Sequence, residues 1–565
     1  MFAGLLCAAL LGCAPRIAPD GNRSAEAEPA PAAARAAGNG EALALLLRRE
    51  AARTGFGPAP ASTAVGPPPG RQPLVEALFA AYEARDWRSV WFPGGGAPQA
   101  VRLASAAAMV ERAADHGLDP ADYRLPAPAS DIAKIARNAA PGTLAALEIA
   151  AMSAVLAFAH DAAVGWRAAR LTDPNVFAEL EPFDAQAVIR RLADPARDPA
   201  DTLRALFPDH APYRALQAAL AAYRARAAHP EPPAVPEGPS LRLGARDGRV
   251  AALRARLAYF GDLAPQSGDA ARFDPEVDRA VRRHQERHGL EPDGVVGPQT
   301  LAALNVPIAA RLQQLRLNLE RWRWLPHDLG AAYVLANIAA FEVRIVEEGA
   351  VLDRIRAVVG KPFRMTPVFS DAITYVEVNP TWTVPPRIAG QDLLPKIRDN
   401  PTFLADEGYE LFDGWGPDAA RLDPSSVDWA SVSPDAFPYK LRQRPGPSNA
   451  LGRVKIMFPN RFDVYLHDSP ARALFERRVR AFSSGCIRLE RPFDLVDWLM
   501  RRTGGPERAE IEAIRAAGET RVVPLRSDVP VHLIYAAAWA EPDGTVQFRS
   551  DVYGRDALLQ AALVR

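Results

Sequence analysis

The sequence predicts a multidomain α+β protein: an α-helical scaffold domain, a small three-helix module and a β-rich domain interrupted by a lid insertion. Three observations predict it. Residues 72–228 carry apolar side chains at three- and four-residue spacing, as in PLVEALFAAYEARDW and TLAALEIAAMSAVLAFAHDAAVG, the period of helices with one buried face. Residues 241–307 hold short amphipathic runs around the Gly-rich turn DGVVGPQT. From residue 316 the chain changes to alternating and β-branched runs such as AYVLAN, EVRIVEEG and RFDVYLH, separated by Gly and Pro, which is the pattern of strands. A length of 565 residues accommodates roughly three or four domains.

Taken in order, residues 1–15 are apolar, short and rich in small side chains, the composition of an export signal. LLGC, ending at Cys13, resembles a lipobox, whose cysteine is lipidated and anchors the protein to a membrane; no Lys or Arg precedes Arg16. Residues 16–71 form an Ala-, Pro- and Gly-dominated tether. Within 72–228, HGLDPADYRLP ends a helix at Gly117 and turns through Pro120. His116, Asp119 and Asp122 there are read as a capped turn rather than a metal cluster. Residues 229–240 (HPEPPAVPEGPS) read as a linker. In 241–307, Val250, Leu253, Leu257, Val277, Val281, Leu290, Leu301 and Leu304 are expected to face inward, with Pro298 opening the last helix. His284 and His288 are placed on a solvated helix face. The β-rich domain spans 316–540, with the insertion at 386 to about 445 expected to act as a lid, and 541–565 reads as a C-terminal tail.

Beyond the first segment no stretch reaches 18 apolar residues, so no transmembrane helix is expected. Lys plus Arg and Asp plus Glu number 67 each, a balance that gives no signal for nucleic acid. No metal and no cofactor are expected, and the chain is expected to be a monomer.

Beyond position 13 the sequence has one cysteine, Cys486, in RAFSSGCIRLE. A thiol is a strong nucleophile once deprotonated. Gly485 permits a backbone conformation that a side chain would block, and the N–H groups of Cys486, Gly485 and Ser484 are candidates for an oxyanion hole. The segment RPFDLVDWLMRR reads as a helix just beyond it. The candidate base is His467, at the end of RFDVYLH. SPARALFERRVR between the two supplies a helical turn that returns the chain, and its arginines, Arg472, Arg477, Arg478 and Arg480, read as a basic, solvated face. One Cys and one His do not make a zinc site, and the order His then Cys disfavours a papain-type arrangement.

These residues resemble two known families. AVRRHQERHGLEPDGVVGPQTLAAL resembles a peptidoglycan-binding module, with His284 where that family usually has an aromatic. YLHDSP and FSSGCIRL resemble the catalytic motif of L,D-transpeptidases, with Ser484 where the commonest version has His. That departure, together with NLERWRWLP, VVGKP, VNPTWTVPP and PGPSNALGRVKIMFPN, is similar to a large periplasmic subgroup with a helical scaffold domain, a peptidoglycan-binding module and a lidded catalytic domain. The resemblance implies that Cys486 attacks a stem tetrapeptide at meso-diaminopimelate, releases D-alanine and passes the acyl group to a second stem. It implies His467 as base and then acid, with Gly485 and Ser484 in the catalytic turn. Arg488 binds a substrate carboxylate or braces the loop, while Tyr465, Trp382, Asn449 and Ser483 are candidates for lining the substrate groove. Tyr409, Trp415, Trp429 and Tyr439 are expected on the lid. An L,D-carboxypeptidase using water as acceptor, or a non-catalytic wall-binding scaffold, remains as an alternative. The thiolate is expected to be stabilised by His467, and a carbapenem is expected to acylate Cys486.

Overall fold

The computed structural model describes residues 41–49, 72–93, 100–137, 139–166, 172–178, 182–264 and 269–563. The export segment with Cys7 and Cys13, and most of the tether, lie outside the described residues.

The helical domain is built around the Pro141–Val164 helix, which packs against Gln72–Glu83, Ala100–Glu111 and Ala185–Ala193. By composition this helix is long and apolar enough to cross a membrane, but 67% of its apolar window is buried inside the protein. Its fully buried Glu148 is surrounded by donors: the hydroxyls of Tyr82 (2.5 Å) and Ser89 (2.6 Å) and the backbone N–H of Val90 (2.6 Å). Such donors make a buried carboxyl tolerable in an apolar core.

In the module, helices Arg249–Tyr259, Pro275–Arg287 and Pro298–Leu304 enclose Val250, Leu253, Leu257, Phe273, Val277, Val281 and Leu304. Leu301 packs at its margin, and Leu290 stands outside this core. His284 and His288 are buried, contrary to the solvated face expected. The Pro275–Arg287 helix lies against the C-terminal hairpin, where His288 stacks on Phe548 at 5.5 Å; within the module His284 Nδ1 meets Asp262 at 2.9 Å. Helical periodicity identified the module's own core but not the second face that docking covers. The stretch 229–240 is likewise docked: buried Val235 exchanges two hydrogen bonds with the Asn305 amide.

The β-rich domain contributes β1 (Ala332–Asn337), β2 (Glu342–Glu347), β3 (Ala350–Gly360), β4 (Phe369–Val378), β5 (Trp382–Thr383), β6 (Tyr409–Phe412), β7 (Arg421–Leu422), β8 (Lys440–Gln443), β9 (Val454–Met457), β10 (Leu466–His467), β11 (Ala481–Ser483), β12 (Ile487–Leu489), β13 (Arg521–Ile534), β14 (Ala538–Ala540) and β15 (Val546–Phe548). Among the described residues the main sheet runs β11-β3-β12-β10-β9-β4-β13-β1-β2, and β2 pairs back onto β3. Alternation along β1 explains why its sequence shows no polar face. Val334 and Ala336 enter the core of the β-rich domain, whereas Tyr333 and Leu335 enter the core that contains the helical domain. A second junction lies at Val176, which bridges Val368 in parallel; Phe177 N–H donates to Val368 C=O at 2.8 Å.

The insertion has its own sheet, β5-β8-β6-β7, and its own apolar cluster around Leu394, Ile397, Leu411 and Leu441. Of its aromatics, Tyr409, Trp429 and Tyr439 pack within that cluster, while Trp415 is exposed. Tyr409, Trp429 and Tyr439 therefore help hold the insertion together. The expected tail is folded: β14 and β15 form a hairpin, followed by the Arg555–Leu563 helix. Buried Arg555 pairs with Asp173 at 2.8 Å.

His116 lies buried against Phe207 at 3.6 Å, and Asp119 caps the Ala121 N–H at 3.0 Å, so this segment is a packed turn. Burial, with the cation of Arg323, lowers the His116 pKa to about 3. Burial also lowers His284 and His532 to about 4. The unfolded chain takes up these protons first, near the ordinary histidine value, so this stability is full above that value and is lost as pH falls toward the folded ones. Each ring should cost about 2 kcal/mol by pH 5. Urea unfolding is therefore expected to show a midpoint that falls steadily between about pH 7 and pH 5. A constant midpoint would mean that the rings are protonated within the fold.

Candidate active site

Strand register builds the site. β10 pairs in parallel with β12, setting Leu466 beside Ile487 and His467 beside Arg488. Adjacent residues across a ladder share a face and successive residues alternate. Leu466 and Ile487 therefore point into the core, where both are buried. His467 and Arg488 share the other face with Tyr465 and Cys486, which stand two residues before them in the chain. The Ile487 N–H donates to the Tyr465 carbonyl at 3.1 Å, which holds the two segments in register. On the other side of β10, Lys455 of β9 lies opposite His467, and Glu377 of β4 lies opposite Lys455. A row of Glu377, Lys455, His467 and Arg488 thus crosses four strands beside the thiol.

Cys486 occupies a turn between β11 and β12 in which Gly485 has φ +126°, a region L side chains rarely adopt. Ser483 Oγ donates to the Cys486 carbonyl at 2.6 Å and accepts the Gly485 N–H at 3.1 Å. Thr366 Oγ1 donates to the Gly485 carbonyl at 2.8 Å. Cys486 is the free cysteine among the described residues, and its Sγ–H points to the Asp463 carbonyl at 3.6 Å. Burial pushes its pKa up, opposed by hydrogen bonds from Tyr465 and then by the charges of Lys455 and Arg488. The thiol is therefore protonated at neutral pH and needs a base.

His467 is 3% exposed, with Nδ1 at 2.5 Å from the Asp468 carbonyl. A carbonyl only accepts, so a proton on Nδ1 satisfies this contact and, in that tautomer, Nε2 is the basic nitrogen. Burial first, then the cation of Arg488, lowers its pKa to about 3, against the pull of the Asp468 carbonyl. The arrangement combines a neutral base with a protonated thiol, suited to proton transfer during attack rather than to a preformed ion pair.

Arg488 forms no ion pair among the described residues, and its buried Nε has no hydrogen-bond partner. A half-buried guanidinium with free donors on the thiol's face suits an incoming carboxylate. Ser484 accepts from Arg364 Nη1 at 2.9 Å.

The other sequence candidates are placed differently. Ser483 is buried, with its hydroxyl engaged inside the turn, so it does not face a groove. Asn449 is fully buried; its amide donates to the carbonyls of Pro380 and Arg444 at 3.0 Å each, bracing a loop. Trp382 packs in the insertion's own cluster, 6.4 Å from Tyr409. The Gly485 N–H is taken by Ser483, so of the three N–H groups considered for an oxyanion hole it is the one already engaged. β12 separates Cys486 from the Pro492–Thr503 helix, so the thiol does not sit at a helix N-terminus. The basic helix is the short turn Arg472–Glu476; Arg478 pairs with Glu291 of the module, and Arg480 donates to the Ala357 and Phe341 carbonyls.

Sequence reasoning missed Lys455, Glu377, Thr366 and the Asp468 carbonyl. Alternation in VKIMF, with Val454 and Ile456 inward, could have put Lys455 on the site face. Thr366 and the Asp468 carbonyl leave no comparable trace in the sequence.

Three known families match the chain. Residues 331–523 match the "L,D-transpeptidase catalytic domain", 76–220 the "Scaffold domain" and 246–304 the "Putative peptidoglycan binding domain". A curated Haemophilus influenzae protein named "Putative L,D-transpeptidase" is 36% identical over 250 residues, covering 44% of this chain and 49% of that protein. The chain thus spans about half the length of this relative. Similar solved structures include an L,D-transpeptidase from Mycobacterium smegmatis (15% identity, TM-score 0.18, covering 36% of this chain and 58% of that one). Another is L,D-transpeptidase 3 from Mycobacterium tuberculosis in complex with a faropenem-derived adduct (16% identity, TM-score 0.17, covering 36% and 60%). The chain thus carries a region similar to L,D-transpeptidase catalytic domains, set behind regions similar to a scaffold domain and a peptidoglycan-binding domain.

Proposed function

We propose that this chain is a periplasmic L,D-transpeptidase that joins two peptidoglycan stem peptides through a Cys486 thioester. The observation that carries the reading is the shared face of Cys486, His467 and the unpaired Arg488. Nε2 takes the thiol proton as Sγ attacks the carbonyl at the L-centre of meso-diaminopimelate in a donor tetrapeptide. The oxyanion is held by the Ser484 and Cys486 N–H groups. The imidazolium returns the proton to the departing D-alanine amine, leaving a thioester. The side-chain amine of an acceptor stem then attacks, His467 takes its proton, and collapse forms the new amide and restores the thiol. Arg488 receives a carboxylate of the substrate. The insertion covers the thioester against water, and the segment ending at Cys13 exports the chain and attaches it to the membrane by a lipid.

Mass spectrometry of products from purified disaccharide tetrapeptide tests this reading. Dimer and free D-alanine are expected; D-alanine with tripeptide and no dimer would make water the acceptor. Absence of D-alanine release by a protein whose Cys486 still alkylates would overturn the proposal. A carbapenem offers the same thiol a strained carbonyl, so intact-mass analysis is expected to show one adduct on the wild type and none on Cys486→Ala. Equal labelling of both would place the reaction elsewhere.

A further inference from the structure

We propose that Arg364 is a positioning residue that locks the insertion onto the nucleophile turn, so that the backbone carrying Cys486 is held in place while the insertion is seated. The inference rests on the activity proposed above.

Arg364 lies on the loop between β3 and β4, which folds over Gly360 so closely that a Cβ there would strike the loop backbone. The loop is tied to β11 by the Lys361 N–H, which donates to the Ser483 carbonyl at 3.0 Å. The Arg364 side chain is 8% exposed and reaches in two directions. Toward the nucleophile, Nη1 donates to Ser484 Oγ at 2.9 Å. Toward the insertion, Nη2 donates to Gln391 Oε1 at 2.9 Å and Asp392 Oδ1 at 3.1 Å, and Nη1 pairs with Asp392 Oδ2. Gln391 and Asp392 sit in the π-helical turn Ala389–Leu393, a rare local geometry.

The chemistry makes the link specific. A guanidinium is a rigid planar fork, so seating one edge on a carboxylate fixes the direction of its remaining N–H groups. Asp392 thereby aims Nη1 at Ser484, adjacent to Gly485 with its left-handed backbone. Ser483 and Thr366 hold the same turn from within the catalytic sheet; Arg364 connects it to the insertion. The hydroxyl of Ser484 is thus the receiving end of a tie, not a group acting on the substrate. Loss of Asp392 would leave the Arg364 fork free to rotate, and the turn would lose one of its three side-chain anchors.

The test compares Arg364→Ala, Arg364→Lys, Asp392→Asn, Ser484→Ala and the Arg364→Ala/Asp392→Asn double variant in the full chain. Arg364→Ala and Asp392→Asn are each expected to lower kcat for D-alanine release about ten-fold, with KM changed less than about three-fold. They should raise amide hydrogen exchange together in residues 386–400 and 481–487. Arg364→Lys should not restore kcat, because an ammonium has no fork. The double variant should be no worse than either single one. Ser484→Ala should lower kcat while leaving 386–400 protected. Wild-type kinetics in Arg364→Ala, exchange that rises in one segment alone in Arg364→Ala or Asp392→Asn, or additive losses in the double variant would each overturn the proposal. If the wild type itself released no D-alanine, the proposed activity would fail, while exchange and the rate of Cys486 labelling by iodoacetamide would still decide the tie.

Discussion

Cys486→Ala is expected to abolish both D-alanine release and cross-linking while leaving the fold intact. The other side chains on that sheet face, Tyr465, His467, Arg488, Lys455 and Glu377, do not match a thiol as nucleophile. Removing one member of a catalytic unit commonly costs a factor of about a thousand or more. The structural cost is small, because the thiol gives up only a long contact with the Asp463 carbonyl and its hydrogen bonds with Tyr465, and their loss should amount to about 1 kcal/mol. Product analysis checks the first half and thermal unfolding the second. Dimer formed at even a tenth of the wild-type rate would sink the cysteine mechanism.

His467→Ala is expected to lower turnover by about 10² to 10⁴, the usual worth of a positioned general base. His467→Gln guards against a merely structural cause, since it fills most of the same buried space. The pH behaviour gives a sharper result. With the ring held neutral down to about 3, wild-type alkylation of Cys486 should rise with pH without a step near the ordinary histidine value. Its midpoint should lie above the usual thiol range, as burial requires. Removing His467 should barely move that midpoint, contrary to what the sequence suggests. Arg488→Met should raise it, because a nearby cation favours the thiolate. A reactive plateau in acid, as a thiolate–imidazolium pair would give, would contradict this electrostatic assignment.

The parts of the site that were legible in the sequence are those whose chemistry is rare. A single thiol, a glycine before it and a histidine at a strand end stand out against any background. Arg488 was equally visible, and its missing partner among the described residues now favours one of its two readings. Asn449 and Ser483 were misplaced for one reason: a polar residue beside a site can face the substrate or brace the wall behind it, and sequence spacing does not distinguish these. Asn449 and Ser483 satisfy backbone groups that would otherwise be buried without partners. The buried His288 and the folded C-terminal hairpin were missed because both depend on contacts between segments far apart in the chain. Local periodicity carries no record of those contacts.

The two-sided burial of β1 bears on how such a chain can be inherited. In sequence the helical, wall-binding and catalytic regions look like beads that recombination could shuffle freely. Tyr333 and Leu335 nevertheless share one apolar core with helical-domain residues such as Tyr82 and Leu216 and with Phe548 near the far end. Val176 from the helical region also extends the backbone pairing at Val368. A gene fusion that kept the catalytic region and discarded the helices would expose that core face and free that edge to aggregate. The insertion, with a core of its own, has no such constraint. Exchange between lineages is therefore expected to replace the insertion, while the helices and the catalytic sheet descend together.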